Sequence, residues 1–213
     1  MKPKKLYHSQ VFNDKDWAER YYKKNQKNIE KTGQRLVKLL KESDFNGTKI
    51  FDAGCGFGSI AIEIAKAYPK TEITGIDLAE PLLKIGQNLI KEESLEKQII
   101  LKKGDVQKID YPDNTFDLVI NSYLLHIVEN SVKMLNEIER ITKPGGIIMI
   151  TDLRKCWLKY LMKKFNVSYT IQEAEKIIAQ SNIRQSKLTK GFFWWDYMTN
   201  LLTINEKADY VKP

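Results

Sequence analysis

Asp52-Ala-Gly-Cys-Gly-Phe-Gly58 is the densest run of chemically useful residues in the chain. It lies between an apolar run, Lys49–Ala53, and a helical pattern in which Ile60, Ile64 and Ala65 recur up to Pro69. Glycines at such a place let the backbone turn tightly and approach a ligand closely. The start of the helix beyond them offers N–H groups that have no partner within the helix. A dinucleotide site calls for Gly-x-Gly-x-x-Gly, but the completing position is Ser59, and the third glycine, Gly58, comes two residues after the second. A P-loop is excluded, because no Gly-Lys-Ser/Thr follows.

Other groups with chemical potential follow in order. Asp77 ends a second apolar strand. Asp105 and Val106 follow a third strand, and Asn121 ends a fourth. There are two histidines. His126 comes just after the fourth strand, as a proton acceptor or as a residue that packs or caps the next helix. His8 lies near the start. Asp152, at the end of the fifth strand, could bind a cationic group or cap the turn that follows. Cys55, inside the glycine loop, reads as a small space-filling residue, and Cys156 as a helix residue. The two cysteines make neither a disulfide framework nor a metal-ligand pattern, so no metal site is expected.

The elements that must position these groups follow from periodicity. Asn13–Arg35 carries Trp17, Tyr21, Tyr22 and Ile29 at helical spacing, continuing to Leu40, and Asn46-Gly47 breaks it. Strands are expected at Lys49–Ala53, Glu72–Ile76, Gln98–Lys102, Phe116–Asn121 and Ile147–Thr151. Between them run helices through Ile60–Ala65, Pro81–Ile90 and Val132–Ile141, the last ending before a Pro144-Gly145-Gly146 turn. Alternating strands and helices imply βαβ units and a parallel sheet covered on both faces. A helix over Ile171–Ser181 starts from a Thr170 cap with Glu173 three residues on. Arg184–Thr189 and Phe192–Thr199, joined at Lys190-Gly191, then form a closing hairpin. The expected fold is α/β: a Rossmann-like, doubly wound, seven-stranded mixed sheet with a C-terminal antiparallel hairpin strand and a helical cap.

Composition narrows the function classes. The chain has 213 residues, 42% hydrophobic and 29% charged, enough for one domain with a real core. No run approaches the roughly 18 consecutive apolar residues of a membrane span. The start, Met-Lys-Pro-Lys-Lys, lacks the apolar segment of a secretory signal, so a cytoplasmic setting is expected. The net charge of +8 is uneven: +6 over residues 1–48, −3 over 49–150 and +5 over 151–213. Positive charge on two flanks around an acidic centre argues against a protein that is basic throughout.

The spacing Asp52-x-Gly54-x-Gly56-x-Gly58, followed by Asp77-Leu78, Asp105-Val106, Phe116–Asn121 and the Lys143-Pro-Gly-Gly146 turn, resembles the class I S-adenosylmethionine-dependent methyltransferases. The continuation Asn121-Ser-Tyr-Leu-Leu-His126 more loosely resembles the small-molecule group that includes the ubiquinone and menaquinone biosynthesis enzymes. The resemblance implies S-adenosyl-L-methionine as cofactor. It would be held by Asp52, Gly54, Gly56, Gly58, Asp77 (the ribose hydroxyls), Leu78, Asp105 and Val106 (the adenine pocket) and Asn121, with Tyr123, His126 and Asp152 as candidates for catalysis. It also implies an N-terminal helical cap over 1–48, a cofactor-binding domain over 49–213 and a lid insertion over 153–169. Within the lid, Trp157–Phe165 is a basic amphipathic stretch that could instead touch an anionic membrane surface. The expected activity is methyl transfer to a small molecule, with the basic flanks favouring an anionic one. An RNA or protein methyltransferase and a non-catalytic cofactor-binding protein are the alternatives. Asn121-Ser-Tyr-Leu lacks the prolines of base-directed enzymes, which argues against a nucleic-acid acceptor. The oligomeric state is open.

Overall fold

In the computed structural model, residues 13–155, 168–184, 186 and 188–199 are described. The elements run α1 (Lys15–Glu42), β1 (Lys49–Ala53), α2 (Ser59–Ala67), β2 (Glu72–Asp77), α3 (Glu80–Glu92), β3 (Ile99–Lys103), β4 (Phe116–Ser122), α4 (Ser131–Ile141), β5 (Thr142–Leu153), α5 (Ile171–Ala179), β6 (Leu188–Lys190) and β7 (Trp194–Met198). One seven-stranded sheet has the order β3-β2-β1-β4-β5-β7-β6. The first five strands are parallel, and β7 returns antiparallel to β5 with β6 outside it. This is the expected mixed α/β sheet. The chain winds outward from β1 to β3, then crosses back to β4 on the other side of β1. That reversal opens a crevice at the carboxyl ends of β1 and β4, where ligands bind in open α/β sheets.

Both faces of the sheet are covered. Along β1, Ile50 packs in one interior cluster with Leu36 and Leu40 of α1, Ile60 and Ile64 of α2 and Leu83 of α3. Its neighbours Phe51 and Ala53 pack in the other, with Leu135 and Ile138 of α4 and Ala174 of α5. The period-two alternation of a strand buried on both sides explains the near-continuous apolar runs. Trp195 and Tyr197, two apart on β7, are buried in the second cluster.

Several boundaries differ from the sequence reading. Helix α1 starts from an Asp14 cap that accepts from Trp17 N at 3.0 Å, and it ends at Glu42, before Asn46-Gly47. The break comes from Ser43 and Asp44, whose φ of 53° is left-handed. Strand β5 begins at Thr142, opposite Phe116, so the Pro144-Gly145-Gly146 turn lies within the strand. There β4 advances from Phe116 to Leu118 while β5 advances from Thr142 to Ile147, a bulge through Gly145 at φ 77°. The Thr170 cap on α5 is confirmed as a full capping box with Glu173.

Within the expected 1–48 cap, the described residues form one long helix, α1, whose C-terminal half belongs to the interior of the sheet domain. Gly33 lies against Ile60 and Glu63 of α2, close enough that an added Cβ would stand 3.0 Å from the Glu63 side chain. Leu36→Ala is therefore expected to cost the whole domain about 2–4 kcal/mol in urea unfolding. A loss below about 0.5 kcal/mol would mean that α1 is not part of the cooperative core.

Candidate active site

The glycine loop joins β1 to α2 at the crevice. Gly54 N and Cys55 N both donate to Ile76 O, at 2.9 and 3.0 Å, so the loop folds back over the end of β2. Gly56 N donates to Asp77 Oδ2 at 2.8 Å. Two glycines are required for different reasons. At Gly54, φ is +81° and a Cβ would stand 2.4 Å from Leu124. At Gly56, φ is +54°, and the nearest atom to an added Cβ is Leu82 Cδ1 at 4.0 Å, so the left-handed backbone rather than crowding calls for glycine. Cys55 fills the gap above Gly75, as its reading as a space-filler implies.

Unpartnered polar atoms gather at the same strand ends. Asp52 is buried, and its Oδ2 has no hydrogen-bond partner. Burial, reinforced by the nearby Asp77 charge, pushes its carboxyl up to about 7. Asn121, paired with Ala53 across β1 and β4, donates to Ala53 O at 2.8 Å, but its Oδ1 has no partner. The Ser122 hydroxyl beside it is also buried without one. Asp77 accepts from Gly56 N and from Ala79 N, both at 2.8 Å, and burial raises its carboxyl as well. Each carboxylate oxygen keeps a further lone pair. Next to Asp77, Leu78 is 43% exposed.

Asp105 forms a local turn: its Oδ1 accepts from Gln107 N at 2.8 Å and Gln107 Nε2 at 3.2 Å. Val106 packs inward beside Ile76 and Ile109.

Across the crevice, the carboxyl ends of β4 and β5 bring the three catalytic candidates together. His126 is clamped by Asp152: its backbone N–H donates to Oδ2 at 3.0 Å, and its Nδ1 lies 2.6 Å from Oδ1. Leu153 N also donates to Oδ1. Both side chains are buried, His126 at 7% exposure and Asp152 at 1%. Tyr123, left-handed at φ 58°, donates its N–H to Thr151 O at 2.8 Å, and its hydroxyl meets Thr32 of α1 at 2.7 Å.

Among the described residues no three His, Cys, Asp or Glu side chains converge to hold a metal ion, and no helix is long and apolar enough to cross a membrane.

The model of a methyltransferase domain family matches residues 44–206. The chain belongs to this methyltransferase family. A demethylmenaquinone methyltransferase of Anoxybacillus flavithermus is 29% identical over 177 residues, covering 78% of this chain and 70% of that protein. An uncharacterized methyltransferase of Schizosaccharomyces pombe is 36% identical over 118 residues, which cover 53% of this chain and only 41% of the relative. The crystal structure of a SAM-dependent methyltransferase from Aquifex aeolicus shares the fold at TM-score 0.66 and 23% identity, over 76% of this chain and 86% of that one.

S-adenosylmethionine is the cofactor of this methyltransferase domain. The crevice fits it chemically. The buried oxygens of Asp52, Asn121 and Ser122 lack partners, and the cofactor carries ammonium, hydroxyl and amine donors. Its positive charge would relieve the repulsion between Asp52 and Asp77, and the side-chain-free backbone at Gly56 admits close approach. On α1, Trp17 stacks on Tyr21 at 5.2 Å, and Tyr22 meets Phe57 of the glycine loop edge-on at 5.2 Å, so these flank aromatics pack directly over the cradle.

Sequence reasoning missed Thr32, Arg35, Thr151 and Asp196. Arg35 donates to Asp196 Oδ2 at 2.5 Å and to Thr151 Oγ1 at 2.9 Å, and its guanidinium carbon lies 5.1 Å from the Trp194 ring centre. A signal was available: Thr32 and Arg35 interrupt the stripe that buries Ala18, Leu36 and Leu40. His8, Tyr7, Phe12, Cys156 and Trp157–Phe165, with most of the expected 153–169 lid, fall outside the described residues.

Two predictions follow from these carboxylates. Folded Asp52 keeps a proton that the unfolded chain loses near 3.8, so stability falls as pH rises from there through about 7. Asp52→Asn should thus raise the apo-protein's melting midpoint by at least about 2–4 °C more at pH 8 than at pH 4, where both states are close to fully protonated. An equal shift at both would contradict the buried-charge account. Asp77→Ala should weaken S-adenosylhomocysteine binding at least about tenfold by calorimetry, and unchanged affinity would remove Asp77 from the ribose role.

Proposed function

We propose that the chain methylates a small molecule through a protonated nucleophile, an O–H or N–H group, with His126 as the general base and Asp152 as its orienting partner. The observation that carries this reading is the two-point grip of Asp152 on the backbone and ring of His126. With Nδ1–H donated to Asp152, the lone pair of the ring sits on Nε2. That nitrogen can receive the proton the nucleophile gives up. Asp152, buried and holding three N–H donors, stabilises the resulting imidazolium and fixes the ring without taking the proton itself. When bound, S-adenosylmethionine supplies a methyl group on a sulfonium, so the protein's work is largely placement of the nucleophile and proton removal.

The cofactor residues named above hold the other half of the site: Asp77 toward the ribose, Leu78 and Asp105 with Val106 toward the adenine, and Asp52 and Asn121 toward the charged end. The cofactor-binding unit is 49–213, with α1 supplying one wall of the acceptor side. A small acceptor is supported by relatives named demethylmenaquinone methyltransferases. On the acceptor side, the anionic acceptor expected from flank charge keeps one candidate partner, Arg154 just after β5, whose buried Nε has no hydrogen-bond partner. Arg35 there is neutralised by Asp196, and Asp152 adds a second carboxylate. A neutral acceptor, met in the cytoplasm, is the reading we favour.

The test is transfer of labelled methyl from S-adenosylmethionine to a small-molecule extract and to demethylmenaquinone, with RNA and protein fractions as the competing acceptors. His126→Gln is expected to lower turnover about 10²–10⁴-fold, Asp152→Asn less, with S-adenosylhomocysteine affinity preserved in both. Turnover of the His126 variant near the wild-type rate would eliminate it as the base. Label in RNA or protein alone would reject the small-molecule reading.

A further inference from the structure

Tyr123 is the one catalytic candidate whose part is left open once His126 and Asp152 are paired. It is the first residue after β4, and its left-handed backbone is uncommon for a bulky side chain; such conformations persist where surrounding contacts over-determine them. Those contacts reach across 91 residues of sequence: the hydroxyl of Tyr123 lies 2.7 Å from Thr32 Oγ1 on α1.

Counting hydrogens decides who donates. A threonine hydroxyl has a single hydrogen. Thr32 Oγ1 uses it on Asn28 O, one helical turn back, at 3.0 Å. The hydrogen between Tyr123 and Thr32 is therefore the phenol's. With its proton directed at α1, the phenol oxygen keeps lone pairs to offer and no hydrogen. Burial raises its ionisation, and nearby Asp152 and Asp196 add to this against the Arg35 charge. Tyr123 is thus a neutral acceptor of hydrogen bonds and not a second base.

Arg35, on the same face of α1 three residues after Thr32, braces the arrangement. It reaches Thr151, whose carbonyl holds the Tyr123 N–H, and Asp196, whose Oδ2 also accepts from Trp194 Nε1 at 3.1 Å. Two polar residues of one helix thus grip the end of β4, β5 and β7 together. The phenol lies in the neighbourhood of Asp152, the partner of His126.

We propose that Thr32 is a positioning residue that holds Tyr123 as a hydrogen-bond acceptor in the methyl-acceptor subsite, so that the site selects molecules presenting an O–H or N–H donor. This rests on the reading that the carboxyl ends of β4 and β5 form the acceptor side, and it adds a second point of recognition beside His126.

The experiment uses the full chain labelled with [¹³Cζ]tyrosine and saturated with S-adenosylhomocysteine, the Tyr123 resonance being assigned with Tyr123→Phe. The probes are phenol and its methyl ether anisole, equal in shape at the ring but differing in the donor. Phenol is expected to shift the Tyr123 resonance and to bind about fivefold more tightly than anisole. Thr32→Val should abolish that preference, and Thr32→Ser, which keeps the hydroxyl, should restore it. Equal effects of the two probes, including none, would overturn the proposal. So would a Tyr123 resonance unmoved by Thr32→Val, or a serine variant as impaired as the valine one, which marks a merely structural contact. Absence of methyl transfer to any acceptor, with the phenol preference intact, would count against the enzymatic reading alone.

Discussion

Strands β1 and β4 are neighbours in the sheet but are followed by chain that leaves in opposite directions, and the gap between their carboxyl ends is the constraint on which the site depends. The glycine loop leaves β1 toward β2, tied down at Ile76 and Asp77. Tyr123 leaves β4 toward β5 and α1. Each departure requires a left-handed backbone, at Gly54 on one side and at Tyr123 on the other. One side carries glycine backbone and carboxylates, which the proposed reading assigns to the cofactor; the other carries an imidazole and a phenol, which it assigns to the acceptor.

Holding this gap open has an energetic cost. Buried Asp52 lies close enough to half-buried Asp77 to feel its charge, and Asp52 Oδ2, Asn121 Oδ1 and Ser122 Oγ are withdrawn from water without partners. Unsatisfied buried polar groups each cost about 1–3 kcal/mol. A site that is poor in donors when alone is complementary to a ligand rich in donors and positive charge. The same buried carboxylates that weaken the isolated fold are those for which S-adenosylmethionine offers compensation.

Helix α1 couples the two halves. Its N-terminal aromatics pack on Phe57 of the glycine loop, its middle ties Thr32 to Tyr123 and Arg35 to Thr151 and Asp196, and its last turns bury Leu36 and Leu40 in the core. Described from composition it is a basic flank. In the fold, its one deeply engaged cation, Arg35, is matched by Asp196, and its lysines lie on the outer face. The net charge of the flanks therefore says little about the chemistry of the site.

The alternation of elements, the glycine loop, and Asp52, Asp77 and Asp105 were legible because each depends on a few consecutive residues: a strand end, a turn that demands glycine, a carboxylate one strand further on. His126 and Asp152 could be named but not paired, since their separation of 26 residues carries no local signal. The bulge inside β5 was read as a turn before it, because its first pair, Phe116 with Thr142, is made only across the sheet. Thr32 with Tyr123 and Arg35 with Asp196 lie 91 and 161 residues apart, joined by strands that the chain visits out of order. Local steric and hydrogen-bond preferences determine where the chain turns and what it exposes there. Which polar side chains then share a proton is decided by packing, because desolvation makes each buried donor and acceptor find whichever partner the fold brings within reach.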